Sequence, residues 1–203
     1  MNMSKNNVKS RVLLILFIFA LGLCAFHRYK KLNSFYENRS VNIETHSIGE
    51  EVPFGPNIMS QQISLDGYTL CVNDFIITDY QEYIENSIFR DTFTAEGSVP
   101  DCVALVNITL RNIDSTAPGI MLTDISVHGV DQLVFMNWEL LLAENPELHG
   151  EYGISLAQGT SHQLTLPFNL HKEDFSWNWD RLDLYPLYLQ MTGAPTQKNI
   201  RLQ

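Results

Sequence analysis

Cys102-Val103-Ala104-Leu105-Val106-Asn107-Ile108-Thr109-Leu110-Arg111 decides the fold class of this chain. In an extended backbone, Ala104, Val106, Ile108 and Leu110 share one face, while Asn107, Thr109 and Arg111 share the other. That alternation is the signature of a strand buried on one side. Working outward, Asp66-Gly67 is a turn dipeptide, and Tyr68, Leu70 and Val72 then alternate with Thr69, Cys71 and Asn73 before the run continues into Phe75-Ile76-Ile77. Downstream, Asn112–Gly119 has loop composition, and Ile120–Val127 and Val130–Phe135 are strand candidates separated by His128-Gly129. After the turn at Gln158-Gly159, Ser161–Phe168 places Leu164, Leu166 and Phe168 together. Leu182–Met191 and Asn199–Leu202 complete the series, and Pro186 marks an edge position or a bulge. Trp138–Asn145 alone reads as a helix, ended near Pro146. Short strands at this spacing with one short helix predict an all-β, antiparallel sandwich.

Charge divides the chain in two. Lys5, Lys9, Arg11, Arg28, Lys30 and Lys31 precede position 32, and all 23 Asp and Glu residues follow it. Residues 32–203 therefore carry 7 − 23 = −16 with His neutral. A surface that acidic repels phosphate backbones, so no nucleic-acid partner is expected. The basic residues bracket Val12–Phe26, fifteen residues with neither charge nor proline. A helix of that length rises about 22 Å, short of the ~30 Å hydrocarbon core. Snorkelling Arg and Lys and an interfacial Tyr29 make up the difference. We expect a cytoplasmic tail over 1–11, a transmembrane signal anchor over 12–29 in contact with the lipid bilayer, a polar stalk over 30–47 and an extracytoplasmic domain over 48–203. Two other readings also export the domain. One is cleavage of the segment as a signal peptide; the other is lipidation at Cys24, whose box Leu21-Gly22-Leu23-Cys24 has Leu23 where a small residue belongs.

Several stretches carry a family resemblance. Ile48-Gly49-Glu50-Glu51-Val52-Pro53-Phe54-Gly55 resembles the opening of Gram-positive surface domains of unknown function with an immunoglobulin-like (telokin-like) sandwich. Val106–Asn112 looks like their central strand running into an Asn. Leu156–Thr160 followed by Leu164-Thr165-Leu166-Pro167-Phe168 looks like their late turn and strand, and Tyr188–Leu202, with Pro195-Thr196, like their closing strands. The resemblance implies a cell-surface location and an immunoglobulin-like antiparallel β-sandwich. It implies no enzyme activity.

Candidate chemistry is sparse. Cys71 and Cys102 form an even pair in an oxidisable compartment, a candidate disulfide closing a loop of about 31 residues. Alternation opposes it unless a bulge intervenes, because Cys102 is in phase with Ala104 and Cys71 is out of phase with Leu70 and Val72. The six histidines lack zinc-site spacing, and the acidic run from Asp74 to Glu85 lacks the spacing of a calcium loop, so no metal and no cofactor are expected. No Gly-x-Ser-x-Gly elbow or glycine-rich phosphate loop is present, and we read the protein as a non-enzyme. The binding candidates are aromatic. Trp177 and Trp179 share a face if extended, and the stretch from Met136 to Leu142, which holds Trp138 and is apolar except for Asn137 and Glu139, either docks a partner or covers a sheet edge. These features point to a membrane-anchored extracytoplasmic accessory module that contacts another membrane or envelope protein. The alternative is a saccharide- or peptide-binding surface domain.

Overall fold

The computed structural model describes residues 18–19, 21–30, 41–57, 64–87, 99–129, 132–175, 179–180 and 185–203. The chain divides into two units, Met1–Ser40 and Val41–Gln203. In the first, residues 18–19 and 21–30 are helical. Among the described residues, no helix is long and apolar enough to cross a membrane. Positions 12–17 and 20 of the expected anchor, like positions 31–40 of the expected stalk, lie outside them.

The second unit is a β-sandwich. Its four-stranded sheet has the order β2 (Glu51–Pro56), β3 (Ser64–Asp79), β4 (Cys102–Asn112) and β9 (Thr160–Leu170), every neighbour antiparallel. The five-stranded sheet has the order β1 (Asn42–Ser47), β11 (Thr196–Arg201), β10 (Tyr188–Thr192), β6 (Ser126–His128) and β7 (Leu133–Phe135). Its one parallel pair is β1 with β11. A small ladder joins β5 (Ile120–Met121) to β8 (Gly153–Ile154). The inward stripe expected of β4 is fully buried: Ala104, Val106, Ile108 and Leu110 meet Leu70, Val72, Leu164, Leu166 and Phe168 from the flanking strands. The facing sheet supplies Val127, Val134, Leu189, Met191 and Ile200 to the same core.

Buried polar groups fix the loops at one end. The hydroxyl of fully buried Tyr68 accepts from Leu156 N at 3.2 Å. Asn112 donates to Leu156 O at 2.7 Å and accepts from Ser115 N at 2.7 Å. The Asn that ends β4 is therefore a loop clamp, which satisfies backbone groups that burial would otherwise leave without water. Beside it, Gly67 has φ +86°, and a Cβ there would stand 2.6 Å from Ser115 N.

Three expectations are corrected. Residues 42–47 belong to the folded domain as β1, not to the stalk; its polar sequence suits an edge strand that buries no residue. Among the described residues of the sandwich unit there are two short α-helices, not one: α1 (Tyr80–Asn86) and the expected α2 (Trp138–Glu144). Asp79 caps α1, accepting from Gln81 N at 2.9 Å and Glu82 N at 3.1 Å. Asn137 caps α2 in the same way, at 3.0 Å to both Glu139 N and Leu140 N. Finally, Ile120–Val127 is not one strand, because a 3-10 turn over Leu122–Asp124 divides it.

Candidate functional site

The candidate disulfide does not form: Cys71 and Cys102 are free thiols. In the β3–β4 ladder Cys71 pairs with Thr109, and Cys102 pairs with Asp79. Seven residues of β4 separate the two positions, about 23 Å of strand, against the ~7 Å limit between bridged Cα atoms. β3 does carry a bulge, between Val72 and Asp74, but it lies beyond Cys71 and leaves that residue on the outer face. Both thiols are pushed up, Cys71 by burial and then Glu51, Cys102 by burial and then Asp79 and Asp101. Neither is an activated nucleophile.

That bulge shapes a concavity among the described residues. Asn73 is its extra residue, and it turns Asn73 and Asp74 towards the outer face of the four-stranded sheet. There a groove of about 380 Å³ runs over Asn107 of β4 and Gln163 and Thr165 of β9 to Glu144, at the end of α2, and Asn145 and Glu147 beyond it. Side-chain pairs form the floor: Asn73 Nδ2 donates to Thr109 Oγ1 at 2.9 Å, and Thr165 Oγ1 to Asn107 Oδ1 at 2.8 Å. His162 Nε2 lies 3.1 Å from Glu147 Oε1 at the rim. No lining residue is aromatic or basic. Among the described residues no cluster of His, Cys, Asp or Glu is arranged to hold a metal ion.

Asn145 closes the groove against the free edge of β9. Its Nδ2 donates to Thr165 O at 2.8 Å and Leu141 O at 2.7 Å, while its Oδ1 accepts from Thr165 N at 2.8 Å. One side-chain amide thus pairs with Thr165 as an added strand would. The run from Met136 to Leu142 does cover this edge: Met136 bridges Phe168, Asn137 N donates to Pro167 O at 2.9 Å, and Leu140 and Leu141 are buried. Leu140 joins Tyr80, Tyr83 and Val103 in a second apolar cluster on the outer face. There the Tyr83 hydroxyl donates to Glu144 Oε1. Burial, and then Glu144, holds the Tyr83 phenol far above its usual range.

The three tryptophans part company. Trp179 is half-buried against the core, edge-on to Phe175 at 5.6 Å between ring centroids, in a helical turn and not an extended segment. Trp177 lies outside the described residues, so the expected pair is not described. Trp138 is 50% exposed and stands edge-to-face on Tyr152, itself 40% exposed, at 6.0 Å. Met121, exposed on β5, has its sulfur beside Gly153, the residue after Tyr152. Reading α2 alone could flag Trp138; Tyr152 comes from a separate loop and gives no periodic signal.

Among solved structures, the yjhA protein from Bacillus subtilis is similar at 14% identity and a TM-score of 0.40, over 75% of this chain and 99% of that one. No curated protein matches. A family model described as "Domain of unknown function (DUF5028)" matches residues 43–198, the span of the sandwich from β1 into β11. The chain carries a small β-rich domain and belongs to the DUF5028 family.

Proposed function

We propose that this protein is a membrane-anchored, extracytoplasmic interaction module without catalysis of its own, which meets another membrane or envelope protein through the surface around Trp138. The observation that carries the reading is the Trp138–Tyr152 edge-to-face pair, two large side chains left exposed outside the core. Trp, Tyr and Met are enriched in protein interfaces, where Trp and Tyr dominate the energetics. Anchorage is supported by Val12–Phe26 between basic flanks, and by Ile18, Phe19, Leu21, Leu23 and Phe26, all more than half exposed on the described helix. The immunoglobulin-like assignment is supported by two packed, mainly antiparallel sheets.

The test is a full-length variant carrying Trp138→Ser and Tyr152→Ser, compared with wild type by native gel of solubilised membranes. The reading expects wild type in a larger assembly and the folded variant released from it. Identical migration would overturn it.

A second reading, a saccharide- or peptide-binding surface, is favoured by the polar groove over Asn107, Gln163 and Thr165. It expects saccharides or short peptides to shift the amide resonances of those residues and leave those of Trp138 unmoved.

A further inference from the structure

Strand β1 gives the core nothing. None of its six residues is buried, and none belongs to or packs against either apolar cluster. Every other described strand sends at least one side chain to the core, down to Ile120 of β5 and Ile154 of β8. The reason is in the sequence. His46 pairs with Ile200, whose side chain is in the core, so positions 44 and 46 are the inward ones on β1. Glu and His occupy them, where the alternation of the other strands puts apolar residues.

Three things hold β1 in place. One is the parallel ladder from Asn42↔Thr196 to Ser47↔Arg201. Another is the bond from Asn42 N to Pro195 O at 3.1 Å. The last is a latch at the following turn, where Glu50 meets His46 Nδ1 at 2.6 Å and accepts from Ser47 N at 3.2 Å. All are backbone or exposed polar contacts, the kind that open locally while a core persists. Opening bares the N–H and C=O row of β11, a template for an added strand. The strand known to fit that template, in register, is β1 itself, and every copy of the chain carries one.

We infer that β1 is a releasable strap, and that the β11 edge beneath it is a strand-addition site which takes the β1 strand of a second copy of this chain.

The test uses full-length protein and a synthetic peptide of residues 41–48. Asn42 N–H is aimed at Pro195, so alternation aims the amides of Glu44 and His46 at β11 and that of Thr45 away. Glu44→Pro removes a ladder donor; Thr45→Pro is the matched control. By hydrogen exchange, wild-type 42–47 should exchange well ahead of 102–112. Glu44→Pro should speed 42–47 by about tenfold or more, the scale of one lost hydrogen bond, with 102–112 still protected and Thr45→Pro close to wild type. The peptide should bind the Glu44→Pro protein and bind wild type far more weakly. Exchange of 42–47 as slow as that of 102–112 would overturn the inference. So would a folded Glu44→Pro protein that binds no peptide.

Discussion

Asn145 offers the sharpest test of how the four-stranded sheet is finished. Its amide is 2% exposed and makes three hydrogen bonds to backbone, two of them to Thr165 on the free edge of β9. Asn145→Ala leaves Thr165 N, Thr165 O and Leu141 O without that partner. Each buried unsatisfied group costs about 1–3 kcal/mol, but water from the adjoining groove recovers part of it, so the expected loss is about 2–4 kcal/mol. For a domain of this size that is a fall in Tm of about 4–16 °C. Asn145→Asp keeps the acceptor for Thr165 N but turns oxygen lone pairs towards two carbonyls. It should cost at least as much as the Ala variant at neutral pH. The assay is urea unfolding followed by tryptophan fluorescence, with the m-value checked for constancy. A loss below about 0.5 kcal/mol for Asn145→Ala would refute the idea that this side chain stands in for a strand, since such a loss is typical of ordinary surface positions.

Other outcomes are expected of the same domain. Tyr68→Phe should destabilise by about 1–2 kcal/mol, because Leu156 N loses its buried acceptor while the ring packing stays; an unchanged urea midpoint would contradict that. Gly67→Ala should cost more than about 1 kcal/mol, since φ is +86° and the added Cβ meets the backbone of Ser115; a neutral result would place that turn wrongly. Reductant should leave the Tm of the domain unchanged, and both Cys71 and Cys102 should react slowly with alkylating reagent until unfolding; a reductant-sensitive Tm would restore the disulfide. The Glu50 carboxyl is lowered by its hydrogen bond to His46 and then by Ser47 N. Its contribution should be complete above the ordinary carboxylate range and disappear as pH falls through the lowered value. NMR titration should show Glu50 titrating low in wild type and returning towards its ordinary value in His46→Ala.

How much of this could be read in advance depended on whether the signal was local. β4 was legible to within one residue because its inward stripe of Ala104, Val106, Ile108 and Leu110 is unbroken. α2 was legible because Asn137 and Pro146 punctuate it at both ends. α1 was missed although Asp79-Tyr80-Gln81-Glu82 has the spacing of a capping box, because the acidic run around it looked like a solvated face. β1 was missed for a stronger reason. Its inward positions are Glu44 and His46, so no hydrophobic alternation exists to be read; only pairing with a strand 154 residues away makes it a strand. The groove and the Trp138 surface share that dependence. Asn73, Asn107 and Thr165, and likewise Trp138 and Tyr152, become neighbours through sheet register and loop packing.

The central claim, that the surface around Trp138 is where this protein meets a partner outside the cytoplasm, is tested most directly by a photo-activatable residue at position 138 of the full-length chain in its native membrane. Glu82, exposed on α1, serves as the control position. The account predicts a discrete protein adduct from position 138, lost when Tyr152 is also changed to Ser, and none from position 82. Equal adducts from both positions, or none from position 138, would contradict it.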